Sequence, residues 1–184
     1  MPQTTPRIPP LPPEQFSPEQ AELIGDWKNL VFSRVLVRRP DMYRIFLPFI
    51  EKVIADTKLP PRERQIIVLR TLAAANDTYE LHHHKVISVK TGMSDAEIEA
   101  AASGKGLTGF DRTLADAAEE LLRNQVIGDA TWAALAERYS EEQLMEVVFL
   151  SGCYVTMAML TKTFEMPLED EAENARINAL REYT

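Results

Sequence analysis

The sequence predicts an all-α fold, and three observations lead to it. Apolar residues recur at helical spacing from residue 17 almost to the end of the chain. Only seven glycines are spread over 184 residues, and the alternating Val/Ile/Thr runs joined by Asn-Gly or Asp-Gly that signal hairpins are missing. Two capping patterns, Ser94 to Glu97 and Ser140 to Gln143, each stand directly before a helical run.

Taken in order, residues 1–16 read as an extended, proline-rich arm, because proline removes the amide donors that a helix needs. Ser17, with Glu19 and Gln20 behind it, opens a helix running toward Arg39, where Pro40 punctuates the chain. A second helix follows from Asp41 to about Asp56, with Met42, Ile45, Phe46, Phe49, Ile50 and Val53 on one side. Pro60-Pro61 opens a third, to about Ala75, whose apolar set Ile66, Ile67, Leu69, Leu72 and Ala73 is broad enough to enclose it. Asn76, Asp77 and Thr78 are each good N-caps for the next segment, which ends at Gly92. Ser94 launches a short helix to about Ser103, and a glycine-containing loop covers 104–109. Leu114, Ala117, Ala118, Leu121 and Leu122 keep a helical period until Gly128, and Asp129 starts a short helix through Trp132 and Leu135. The box at Ser140 leads into a long apolar helix from about Glu141 to Phe164, closed by Pro167. Residues 17–168 therefore read as a single helical domain, and 169–184 as a charged C-terminal arm.

Composition narrows the function. With 45% hydrophobic and 26% charged residues the chain can bury a real core. Its 28 acidic against 20 basic residues give a net charge of −8, and no dense Lys/Arg stretch offsets it, so nucleic acid and anionic membranes are not expected partners. The lone cysteine, Cys153, excludes a disulfide framework and any Cys-x-x-Cys pair. It fits a reducing compartment, and the N-terminus lacks the apolar run of a signal peptide, so a cytoplasmic location is expected. The longest uncharged apolar stretch, Val147 to Leu160, is shorter than a membrane span and reads as a core helix. Cys153 lies within it as a buried core residue, and Trp27, Trp132, Tyr43, Phe46, Phe49, Phe149 and Tyr154 read as core or interface.

Chemistry concentrates in one place. All three histidines are consecutive, His82-His83-His84, on the helix that also carries Asp77, Tyr79 and Glu80. Neighbouring residues point about 100° apart on a helix, so the three imidazoles cannot share one site. Glu80 and His84 are one turn apart on one face, whereas His82 points elsewhere. A carboxylate beside an imidazole is an acid/base pair able to titrate near neutrality, although the same spacing also describes an ordinary surface ion pair. Glu80-x-x-His83 has the spacing of carboxylate-bridged dinuclear helical sites, but such a site needs a second Glu-x-x-His unit. With every histidine in one triplet the chain cannot supply it, so no intrinsic metal site is expected, and a metal on a symmetry axis stays open.

The stretch Arg62-Glu63-Arg64-Gln65-Ile66-Ile67-Val68-Leu69-Arg70, then Asn76-Asp77-Thr78-Tyr79-Glu80-Leu81-His82-His83-His84, then Gly92-Met93-Ser94-Asp95-Ala96-Glu97-Ile98, resembles the carboxymuconolactone decarboxylase family. That family shares the all-helical fold of the alkylhydroperoxidase AhpD. The resemblance implies an AhpD-like domain that assembles as a trimer or hexamer of identical chains. The peroxidase branch carries Cys-x-x-Cys-x-x-x-His, and placing its histidine on His84 puts the cysteines at Asp77 and Glu80, where both thiols are gone. Gln65 stands where that branch has a glutamate on the preceding helix. The implied activity is cofactor-free acid/base chemistry, decarboxylation or isomerisation, on a small carboxylated lactone or ring of aromatic-compound catabolism. Glu80 and His84 are the implied catalytic residues, with Arg64, Arg70, Asp77, Tyr79 and His83 as substrate-binding candidates. An antioxidant peroxidase relying on Cys153, and a noncatalytic small-molecule binder, are the alternatives.

Overall fold

A computed structural model describes residues 5–181, and every regular element among them is helical. Residues 1–4 and 182–184 of the two expected arms lie outside the described residues. The described chain falls into two compact units: the residues up to Ile50 together with those from Thr161 onward, and Glu51–Leu160.

In the first unit, helix α1 (Pro18–Ile24) starts at a complete capping box in which Ser17 Oγ accepts from the Gln20 amide and the Gln20 side chain accepts from the Ser17 amide. It does not continue to Arg39. Gly25 turns to φ 46°, outside helical geometry, and the chain proceeds as a 3-10 segment, Gly25–Asn29, and a separate helix α2 (Val31–Leu36). Helix α3 (Pro40–Ile54) follows with Tyr43 buried and Met42 and Ile45 exposed, so its buried face is rotated from the expected one. Leu11, Ile24, Val37 and Tyr43 form a small core against which Phe16, Leu23, Leu36 and Leu47 pack.

Leu11 draws the proline-rich segment into that core. Its amide donates to the Arg34 carbonyl at 3.0 Å, and Arg38 Nε donates to Pro9 O at 3.0 Å. The C-terminal segment is likewise held. Glu169 Oε1 accepts from the Val31 amide at 2.8 Å, supplying the cap that α2 lacks from its own flank, and Glu173 pairs with Arg34 at 2.5 Å. Helix α10 (Glu171–Arg181) then packs on the 3-10 segment.

The second unit is built round helix α4 (Pro61–Ala74), which packs against α5 (Thr78–Lys90), α6 (Asp95–Ser103) and α7 (Gly109–Asn124). Ile66, Ile67, Val68, Leu69 and Leu72 point in all directions round the helix, and every one is buried. Each contributes about 1.5–3 kcal/mol relative to exposure, which explains why a helix without a polar face is stable here. Helix α8 (Asp129–Ala136) packs on α7, and α9 (Glu141–Thr163) starts at Ser140, whose Oγ accepts from the Gln143 amide. At 23 residues α9 is long and apolar enough to cross a membrane, unlike the shorter stretch seen in sequence, yet half of its apolar window is buried within the protein. Leu144, Val147, Leu150, Tyr154 and Ala158 make its buried face, while Met145, Val148, Phe149 and Met159 stand exposed opposite.

Candidate active site

Helix α5 begins where Asn76 adopts φ 55°, a left-handed conformation that asparagine tolerates, and Asp77 caps the helix. The Asp77 carboxylate accepts from the Tyr79 amide at 2.9 Å, so of the three candidate caps the buried aspartate takes the role. This start orients the rest of the helix. Tyr79, Glu80, His83 and His84 turn inward and are buried, and His82 is exposed.

His84 is held at both ring nitrogens. Nδ1 lies 2.9 Å from Gln65 Oε1 on α4, and Nε2 lies 2.8 Å from the Tyr154 hydroxyl on α9. An amide oxygen can only accept, so Nδ1 carries the proton, Nε2 offers its lone pair, and Tyr154 donates to it. Ser88 supports the arrangement: its hydroxyl donates to the His84 carbonyl at 2.7 Å and lies 3.3 Å from Gln65 Oε1. The rings of His84 and Tyr154 meet edge to face with centroids 4.8 Å apart. Because Gln65 is neutral, it fixes the tautomer without placing a charge against the imidazole.

Arg64 lies beside this chain. Its guanidinium is partly buried, its Nε has no hydrogen-bond partner, and burial pushes its pKa down against the opposing pull of Tyr154 and Glu146. The Glu146 carboxylate is already engaged by Thr57 Oγ1 and by the Lys58 and Leu59 amides. Cys153, next to Tyr154, is buried with its sulfur 4.0 Å from that of Met157. Burial first, and the Glu80 carboxylate second, push its thiol from 9.0 up to about 12. Glu80, itself buried, is therefore close to the α9 side of the site.

The remaining expected residues fall into two groups. His83 is buried with its ring edge-on to Tyr79, centroids 4.9 Å apart, one turn from Glu80. Arg70 is built into the frame: it donates to the Ala102 carbonyl and pairs with Glu119 at 2.9 Å. A Cβ on Gly104 would come within 3.3 Å of that guanidinium, at a φ of 71° that also favours glycine. A cavity of about 290 Å³ lies over another face of α4, lined by Arg62, Ile66, Ala100, Leu107 and Asp111 among others, but Arg62 is already paired with Asp111 and Glu97. Among the described residues no three His, Cys, Asp or Glu side chains gather as metal ligands.

Gln65 and Tyr154 escape a search for paired catalytic residues. Gln65 stands out only through the family resemblance, and Tyr154 sits 70 positions from His84 in an apolar helix where it reads as core. The available signal is physical: a buried tyrosine hydroxyl needs a partner.

The all-helical chain has the AhpD-like fold, as its likeness to solved structures shows. An uncharacterized peroxidase-related protein from Ralstonia eutropha, described as an alkylhydroperoxidase AhpD core, superposes with a TM-score of 0.77 at 19% identity, covering 91% of this chain and 94% of its own. The debrominase Bmp8 in complex with 2,3,4-tribromopyrrole gives 0.73 at 16% identity, covering 96% of this chain and 98% of its own. A peroxidase-related protein from Silicibacter gives 0.68 at 15%, covering 91% of each chain. At such identities the likeness is one of fold. Residues 40–123 match the carboxymuconolactone decarboxylase family, so the resemblance carried by the sequence motifs holds over that segment, which includes Arg64, Gln65, Glu80 and His84. A comparison with curated protein sequences finds no match.

Proposed function

We propose that the protein is a cytoplasmic, cofactor-free acid/base enzyme that decarboxylates or isomerises a small carboxylated lactone or ring. The observation that carries this is His84, buried and held in one tautomer by Gln65 and Tyr154, beside a partly buried Arg64 guanidinium that has no carboxylate within ion-pair distance among the described residues. Such a cation favours an anionic ligand, and a substrate carboxylate answers that need. In decarboxylation the bond to the departing carbon dioxide breaks, its electron pair moves into a conjugated carbonyl, and the resulting enolate takes a proton. Arg64 holds an anionic group, the His84 chain supplies the proton, and Glu80 sets the charge around it. Tyr79 and His83 form the wall contributed by the first turn and a half of α5.

The thiol alternative is opposed by Cys153 itself. A lone buried cysteine whose thiol is pushed up to about 12 is neither a thiolate at neutral pH nor able to close an intrachain disulfide. Assembly into a trimer or hexamer is part of the proposal, supported by the exposed stripe Met145, Val148, Phe149 and Met159 on α9. The test is a turnover screen over carboxylated lactones and rings without added metal or reductant. Turnover that His84→Gln lowers by about 10²-fold or more supports the reading, and turnover that requires a thiol reductant and Cys153 contradicts it.

A further inference from the structure

Gly152 stands in the interior of α9, on its exposed side and without the positive φ that calls for glycine elsewhere in the chain. Glycine is disfavoured at such a position, because it loses more backbone freedom than alanine and adds no packing. Nothing among the described residues asks for it: a Cβ at 152 would meet no atom within 4 Å. What the missing Cβ does provide is room for a bulky side chain or a second backbone to come close. The surrounding side chains suit such an approach. Met145, Phe149 and Met159, each more than half exposed, share this side of the helix with Val148, and the exposed Thr156 follows one turn after the glycine. The stripe from 145 to 159 is about 21 Å long and lies wholly within the second unit. Its one charged residue, Glu146, is occupied by Thr57 Oγ1 and the Lys58 and Leu59 amides.

Size and charge along the helix point to the same occupant. Two copies of α9 laid antiparallel, about a two-fold axis passing between Phe149 and Gly152, drop each Phe149 ring over the partner's Gly152 and bring each Met145 to the partner's Thr156, large against small both times. The helix carries Glu141 and Glu142 in its first turn and Lys162 in its last. Antiparallel packing therefore turns acidic ends toward basic ends and opposes the two helix dipoles, whereas parallel packing sets like charge beside like. We infer that the outer face of α9 is where a second copy of this chain docks, antiparallel and by the same patch on both copies, crossing at Gly152. This deepens the assembly part of the reading above and is independent of the chemistry at His84. A trimer has no two-fold axis, so of the two assemblies named there the inference selects the hexamer, built from three such pairs.

Cross-linking reads contact and orientation together, at exposed positions where a cysteine leaves the core alone. In a Cys153→Ser background, Met145→Cys and Thr156→Cys each hold their own two thiols about 16 Å apart along the antiparallel pair, and a disulfide needs Cα atoms within about 7 Å. Neither variant alone is expected to oxidise to a dimer, whereas the two co-expressed are expected to give a mixed 145–156 disulfide on a non-reducing gel. Gly152→Leu has room inside the folded chain, so its circular dichroism should match the wild type while sedimentation shows self-association weakened by about tenfold or more. Self-linking of the single variants without a mixed link shows a parallel contact and overturns the inference. So does the absence of any link, or a Gly152→Leu protein that associates like the wild type. A wild-type trimer without the mixed link sinks this inference while the assembly reading stands, and a wild-type monomer sinks both.

Discussion

Cys153 and Tyr154 are adjacent on α9, yet their surroundings give them opposite chemistry. Burial among apolar neighbours and the Glu80 carboxylate keep the thiol protonated, its pKa moving from 9.0 to about 12. An unfolded chain releases that proton near 9.0, so the neutral thiol adds stability below that pH, and the contribution disappears as pH rises from 9.0 toward 12. Alkylation by iodoacetamide should consequently stay slow at pH 8 in the folded protein and become fast in denaturant. Rapid labelling of the native thiol at pH 8 would show a thiolate that this site does not predict. Cys153→Ser should leave turnover unchanged within a few-fold and confer no change in hydroperoxide reduction. Gln65 is the other decisive residue. Gln65→Leu removes the acceptor that selects the Nδ1-protonated tautomer, and turnover should fall by about 10-fold to 10²-fold even though no charge is lost.

At the scale of elements, α4 ties the second unit together through its polar entrance as well as its apolar body. Glu63, buried in the first turn, accepts from the Tyr139 hydroxyl and from Arg138, each at 2.5 Å, and Arg138 in turn lies over the Phe110 ring at 4.3 Å. Burial and the nearby carboxylate push the Tyr139 phenol's pKa upward, so it remains a donor. Glu63→Leu leaves that hydroxyl without its acceptor inside the protein, and urea unfolding should register a loss of about 1.5–3 kcal/mol. Arg62 next to it links α4 to Glu97 on α6 and Asp111 on α7. The Ser94 amide and hydroxyl first, and Arg62 after them, lower the Glu97 pKa from 4.5 to about 2. The charged form is thus favoured by folding: its contribution is complete above 4.5 and is lost as pH falls through about 2. Unfolding midpoints should decline across that window, and Glu97→Gln should flatten the decline.

Those same elements show which parts of the architecture can be read from sequence. The ends of α4, α5, α6 and α9 were legible because each is marked by a local chemical device: Pro61, the 76–78 caps and Gly92, the Ser94 box, and the Ser140 box. The break at Gly25 was not, since a lone glycine after an apolar run is compatible with either a continuing or a stopped helix until φ is known. The burial of Leu11 and the Glu169 cap on α2 depend on contacts across 138 positions in the latter case, which no local pattern encodes. Within the site, Glu80 and His84 share a helix, and their spacing suffices to put both on its buried side. Gln65 and Tyr154 reach His84 from other helices, so only the folded chain brings them together.

Over the whole molecule, the net charge of −8 repels anions, so the anionic substrate proposed above needs a local cation, and the partly buried Arg64 guanidinium is the one the proposal assigns. Arg64→Gln should raise KM for a carboxylated ring far more than for its neutral methyl ester. Equal effects on both would remove Arg64 from the binding role. The apolar outer stripe of α9 belongs to the same scale: sedimentation at micromolar concentration should give a trimer or hexamer, and Phe149→Glu should shift the distribution toward monomer. A wild-type monomer would contradict that assembly. The central claim is that His84 drives proton transfer without thiol, metal or organic cofactor, and its most direct test is the rate of conversion of carboxylated lactones and rings by metal-stripped, reductant-free protein against His84→Gln. The account predicts conversion by the wild type and a fall of about 10²-fold or more in the variant. Equal rates for the two proteins, or conversion only when a thiol reductant is supplied, would contradict it.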